Sequence, residues 1–232
     1  MWTGPGATDT TTSSPTAPSE PTPSPSIRNI GDLSSFAPLE PGTYFNDPDD
    51  DPSTPLRVVY EVPVEGWSQW IGAAKFSDHG HVGVSITTVT NRVRDGCRDH
   101  GPADPPVGPT VDDLATALSE LAPFQVTSPP SDVSIYGYSG KRLELTVPKL
   151  PVEEEADDRR FTECMEGTLK SWIAPDLSYA FYGYTGPGYT EEFWILDVEE
   201  TRLAIAAERS PGSPPEDLAE LRAILDSIRI EP

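Results

Sequence analysis

From Gly42 onward, polar and apolar positions mostly alternate with period two, the signature of half-buried strands. Leu56-Arg-Val-Val-Tyr-Glu-Val62 predicts a strand, closed by Pro63 and a turn at Glu65-Gly66. Residues 67–76 predict a second strand and 81–90 a third. Shorter runs at 124–127, 133–136, 142–147, 168–173 and 180–184 predict further strands, and 192–198 with 202–208 predict a hairpin about Glu199-Glu200. Two stretches change to helical spacing. Thr110-Val-Asp-Asp113 resembles a capping box ahead of Leu114, Leu118 and Leu121. Near the end, Ser213 as N-cap, Pro214 at the first helical position and Glu216 three residues on open a helix with an apolar stripe of Leu218, Leu221, Leu225 and Ile228. Ile228-Arg-Ile230 then predicts a final short strand. Strands in runs with two helices set apart in sequence imply an α+β fold: a mostly antiparallel sheet with two principal helices, one mid-chain and one C-terminal.

The order of these elements carries a resemblance. Val58-Val-Tyr-Glu-Val-Pro-Val-Glu-Gly-Trp67 resembles the entry of the PsbP-like fold, an early strand running into a turn with Pro shortly before Trp. The stretch from Trp194-Ile-Leu-Asp-Val198 through Leu218-Ala-Glu-Leu-Arg-Ala-Ile-Leu-Asp-Ser-Ile-Arg-Ile230 resembles that fold's closing hairpin, long helix and last strand. Mycobacterial cell-envelope lipoproteins of the LpqN type look similar, as do uncharacterised extracytoplasmic domains of actinobacteria. The resemblance spans residues 40–232. It implies a PsbP-like α/β/α arrangement and a binding module, and it transfers no catalytic residue.

Composition divides the chain in two. Residues 1–30 hold 12 Ser or Thr and six Pro, too little apolar surface to offset the entropy of ordering, so residues 1–38 read as a disordered Ser/Thr/Pro-rich stalk before a single domain at 39–232. Of the formal charge of −22, the first 30 residues carry −1. A domain this acidic repels phosphate backbones, which excludes nucleic acid and anionic membrane surfaces and leaves neutral or cationic partners. The stalk and the two cysteines, Cys97 and Cys164 in polar surroundings, point to a disulfide and an extracytoplasmic location. Met1-Trp2-Thr3-Gly4 has no signal-peptide pattern, so the expectation is secretion or anchoring through a segment not present in this chain.

Catalytic motifs are weak. Gly137-Tyr138-Ser139-Gly140 lacks the final glycine of a nucleophile elbow, with Lys141 in its place. Asp47, Asp49 and Asp51 have calcium-loop spacing but Pro52 at the turn position and Val58 at the twelfth, which favours an acidic turn. His79, His81, Cys97 and His100 offer zinc-type donors, but a disulfide would consume Cys97. The run Glu153–Asp158 reads as a solvated loop. No metal or cofactor is expected, and the chain is not expected to be an enzyme. The anomaly is aromatic: residues 179–194 hold seven of the 20 aromatic residues, beside Gly183, Gly186 and Gly188. Ile135-Tyr-Gly-Tyr-Ser-Gly140 echoes Phe181-Tyr-Gly-Tyr-Thr-Gly186, suggesting two strand ends on one rim. Phe181, Phe193 and Trp194 are expected in the core. Tyr136, Tyr138, Tyr182, Tyr184 and Tyr189 are the candidate ligand-binding residues of a non-catalytic binding or sensing module. Two other readings stay open: an envelope hydrolase acting on carbohydrate or cell-wall material, and a structural spacer of a larger envelope protein.

Overall fold

The computed structural model describes residues 1–2, 4, 27–49, 51, 53–78, 80–155, 158–174 and 183–231, with only the backbone at 154, 155, 158 and 159. The first strands are β1 (Arg28–Asn29), β2 (Pro38–Leu39), β3 (Gly42–Asn46), β4 (Arg57–Val62), β5 (Trp67–Gln69), β6 (Gly72–Ser77), β7 (Gly80–Thr88), β8 (Asn91–Asp95) and β9 (Asp99–Pro102). Helix α1 (Val111–Ser119) precedes β10 (Gln125–Ile135), β11 (Tyr138–Thr146), β12 (Val152–Glu155), β13 (Asp158–Phe161) and β14 (Trp172–Ile173). The hairpin β15 (Thr190–Val198) and β16 (Thr201–Arg209) leads to helix α2 (Pro215–Asp226) and β17 (Arg229–Glu231).

An antiparallel sheet of eight strands, ordered β10-β11-β15-β16-β7-β6-β5-β2, runs through the molecule. Its middle strands are buried on both faces, as their sequences require. On β15, Trp194 and Leu196 point to one side and Phe193 and Ile195 to the other, and all four are buried. The first face, with Val82, Val84, Ile86, Leu203 and Ile205, packs against α2 and against a second sheet ordered β1-β3-β4-β17. The opposite face packs against α1, through Leu114, Leu118 and Leu121, and against a small sheet ordered β14-β8-β9. Lys75 on β6 ties α2 down through Asp217 and Glu220, each at 2.7 Å.

This architecture corrects the α+β expectation. Among the described residues 48% are strand and 14% helix, and each helix shares its face of the large sheet with another sheet. The fold is therefore mostly β, with two helices filling corners between sheets, and not a PsbP-like α/β/α layering. Several local expectations change too. The run 67–76 breaks at Trp70-Ile71 into β5 and β6, which pair with each other. The two short runs at 124–127 and 133–136 belong to one edge strand, β10, whose register shifts at Ser128 let Pro129 and Pro130 sit without costing a ladder bond. The acidic run at 153–158 is not all loop: Glu153–Glu155 and Asp158 belong to β12 and β13, which pair antiparallel, and residues 156–157 lie outside the described residues. Of the 1–38 stalk, residues 3 and 5–26 lie outside the described residues, whereas β1 pairs with β3 and Ile30 is buried.

The two cysteines are bonded, with an S–S distance of 2.10 Å and a Cα–Cα distance of 4.5 Å. A disulfide fits an oxidising, extracytoplasmic compartment. No helix among the described residues is long and apolar enough to cross a membrane.

Candidate aromatic cleft

The register of the large sheet places a row of rings at one end of the face that carries α1. Phe76 on β6 stands directly opposite His81 on β7, and the two rings stack at 5.6 Å. Beyond β16, Ser210 donates its N–H to the His81 carbonyl, and its hydroxyl accepts the His81 N–H at 2.8 Å. Tyr189, just before β15, approaches His81 at 5.3 Å and Tyr184 at 5.5 Å between ring centres. Tyr184 is held by a reciprocal pair of backbone hydrogen bonds to Leu169, each 2.8 Å. From the other side the turn between β5 and β6 supplies Trp70, and Phe36 lies against both Trp70 (5.1 Å) and Phe76 (6.0 Å).

These six rings, Phe36, Trp70, Phe76, His81, Tyr184 and Tyr189, line a cleft of about 420 Å³. Ser77 and Thr185 add hydroxyls, and no charged side chain lines the cleft among the described residues. Two backbone features are specific to it. Phe36 has φ of 62°, a left-handed conformation a bulky residue rarely adopts, while its ring is 56% exposed. Gly80 has φ of 135°, and a Cβ there would lie 1.9 Å from the Ser210 hydroxyl, so no other residue fits this edge of the cleft.

One step further along the same face, two residues on each strand, the row changes character. Ala74, Gly83, Glu208 and Glu191 stand opposite one another across β6, β7, β16 and β15. Both carboxylates are buried, and their strand positions face each other directly. Glu208 accepts a hydrogen bond from Ser85 Oγ at 2.8 Å. Glu191 accepts from Trp172 Nε1 at 2.8 Å and Ser171 Oγ at 3.0 Å, with the Tyr184 hydroxyl beside it. Burial pushes the Glu191 carboxyl up to about 7, against the pull of those hydrogen bonds. Burial also pulls His81 down to about 4, so the ring lining the cleft is neutral near neutral pH.

Of the five candidate tyrosines, the cleft brings together Tyr184 and Tyr189, while Tyr182 lies outside the described residues. Tyr136 and Tyr138 are elsewhere. Tyr138 opens β11 and packs with Tyr136 toward the face covered by α2, and the Tyr136 hydroxyl donates to the Leu225 carbonyl at 2.9 Å. Tyr189 lies past the far end of β11, where its carbonyl accepts the Val147 N–H. The two glycine-tyrosine motifs are thus at opposite ends and on opposite faces of the sheet, not on one rim. Phe193 and Trp194 are core residues as expected, and Phe181 lies outside the described residues.

The sequence reading missed Phe36, Trp70, Phe76 and His81. Phe76 opposite His81 follows from the register of a hairpin turning at Asp78, but nothing local links either to Phe36 or Trp70. The metal-type patterns resolve otherwise. Asp49 accepts from the Thr54 hydroxyl and Asp51 from that of Ser53, closing an acidic turn on itself. Of the zinc-type donors, Cys97 is in the disulfide, His81 is in the ring row, His100 contacts the Gly96 carbonyl and His79 lies outside the described residues. No cluster of three or more metal-ligating side chains occurs among the described residues.

No family model, curated protein or solved structure matches this chain. Nothing in those comparisons identifies a PsbP-like or LpqN-like fold.

Proposed function

We propose that the chain is an extracytoplasmic, non-catalytic binding module whose ligand site is the aromatic cleft, presented on the Ser/Thr/Pro-rich segment before it. The observation that carries this reading is the convergence of six rings from three separate stretches of chain on about 420 Å³, within the ordinary range for small-molecule sites. The rings touch one another in a row, but rings that served only packing would also be covered. Here Phe36 and Phe76 keep about half their surface exposed. The strained backbone at Phe36 supports the same reading, because strain persists where a side chain is needed in one place.

Saturation-transfer NMR with tetramethylammonium, methyl glucoside and indole as probes tests it. At least one probe is expected to bind the wild-type protein and to lose binding in Trp70→Ala, at matched melting temperatures. Failure of all three, or equal binding by Trp70→Ala, would retire the cleft as a ligand site and favour the spacer reading. A hydrolase is the second reading, and the Glu191–Glu208 pair is its one specific support. Both carboxylates, however, sit one row behind the rings and outside the cleft lining. Turnover of a nitrophenyl glycoside or of cell-wall material that Glu208→Gln abolishes would establish that reading instead.

A further inference from the structure

The rings of the cleft have two buried carboxyl groups behind them. Along an antiparallel strand, two residues span about 7 Å, so Glu208 and Glu191 lie one such step behind the aromatic row on the same face. Their side chains are aimed into the buried layer that the cleft backs onto. A Cβ at Gly83 would come within 3.4 Å of Glu208 Oε2, which places that carboxylate over β7, the strand that carries His81. The Glu191 carboxylate sits beside the hydroxyl of Tyr184, whose ring lines the cleft.

We propose that the cleft binds a quaternary ammonium head, of the choline or trimethylated-amine class. This rests on the binding reading above and names its ligand. The face of an aromatic ring attracts a cation through its quadrupole, and a hydroxyl donating toward a carboxylate makes a tyrosine ring a richer partner. Several rings around one volume repeat that attraction, and the Glu191 carboxylate, ionised above about pH 7, extends it, since its field is weakly screened in that buried layer. The protein as a whole, at −22, draws cations toward its surface.

The lining discriminates among ligand classes. An anion would face this field with no Lys or Arg in the described lining to receive it. A sugar exchanges many hydrogen bonds with water for hydrogen bonds with protein, and beyond the aromatic polar groups the described lining offers two side-chain hydroxyls, those of Ser77 and Thr185. A primary ammonium faces the same difficulty, because its three N–H donors need acceptors once dehydrated. An alkylated ammonium has no donors to satisfy, carries its charge on an apolar surface, and so suits a neutral, ring-lined wall.

Isothermal titration of the full chain with choline and with dimethylbutanol, its uncharged carbon isostere, separates this proposal from the one it rests on. Choline is expected to bind about tenfold or more tightly than dimethylbutanol. Equal affinities would overturn the ammonium assignment and leave the binding cleft standing. Binding of neither would overturn the ammonium assignment, and the cleft reading would then stand or fall with methyl glucoside and indole. Two variants locate the source of the preference. Phe76→Leu, at a residue 53% exposed, keeps apolar volume but removes a ring face, and it is expected to weaken choline severalfold while sparing dimethylbutanol. Glu208→Gln is expected to do the same, through the carboxyl group that faces Glu191 across the strands. A Phe76→Leu protein with unchanged preference would overturn the proposal even if Glu208→Gln failed to fold.

Discussion

Phe36 holds its ring in the cleft at the expense of its own backbone. A left-handed φ costs a non-glycine residue on the order of 1 kcal/mol. Phe36→Gly is therefore expected to leave the urea midpoint unchanged or slightly raised, while weakening any cleft ligand severalfold; a destabilised variant would mark Phe36 as a packing residue. His81 and Glu191 make a second pair of single-residue effects, with opposite signs. His81, shifted from 6.5 to about 4, contributes stability that is present above pH 6.5 and lost as pH falls through 4. Glu191, shifted from 4.5 to about 7, contributes stability that is present below pH 4.5 and lost as pH rises through 7. Each displacement corresponds to about 3 kcal/mol, so between pH 4.5 and 6.5 the two slopes nearly cancel. Glu191 faces Glu208 across the strands, with Tyr184 beside it, and His81 faces Phe76 and Tyr189. Urea midpoints measured from pH 4 to 8 should show Glu191→Gln gaining on wild type as pH rises through 7. His81→Phe should gain on wild type as pH falls from 6.5 to 4. Parallel curves for either variant would contradict its assigned shift.

At the scale of elements, the disulfide acts on the cleft at one remove. Cys97 lies in the turn between β8 and β9, and Cys164 opens the stretch that carries Leu169, the backbone partner of Tyr184. Around the bridge, the Met165 N–H donates to the Cys97 carbonyl and the Lys170 N–H to the Gly96 carbonyl. Closing a loop of 67 residues is worth about 4 kcal/mol in loop-closure entropy. Replacing both cysteines by Ser should lower the denaturation midpoint accordingly. It should also broaden the Tyr184 ring resonances well below the melting temperature, and sharp resonances there would show that the bridge does not position Tyr184. The same elements show what could be read in advance. Thr110 and Asp113 form the capping box their spacing implied, and β15 and β16 turn at Glu199-Glu200, both with positive φ, as a two-residue hairpin needs. Helix α2 starts one residue later than read. Its N-cap is Pro214, because the Ser213 hydroxyl is drawn away to the carbonyls of His81 and Ser210. The mostly-β class was illegible because the covering sheets use strands such as β1, β8, β9 and β14, too short for any period to emerge. Tyr184 and Tyr189 could be found from aromatic density alone. The echo around Tyr138 misled because a glycine-tyrosine turn describes local conformation and carries no address on the sheet.

For the molecule as a whole, the excess of acids sets both its self-repulsion and its appetite for cations. Raising ionic strength from about 0.01 M to about 0.15 M shortens the screening length from about 30 Å to about 8 Å, so the melting temperature is expected to rise in scanning calorimetry. A melting point independent of salt would mean that the charge is locally balanced. The division of the core into layers has a temporal side as well. One apolar cluster gathers Ile30 and Leu39 together with Ile224, Leu225 and Ile228, and β17 completes the sheet that β1 begins. Contacts so distant in sequence form slowly and cannot form at all before residues 221–228 have been synthesised. Through most of its translation the chain lacks part of the cover for its first apolar strands, which are expected to stay partly exposed until the C-terminal helix and β17 have emerged.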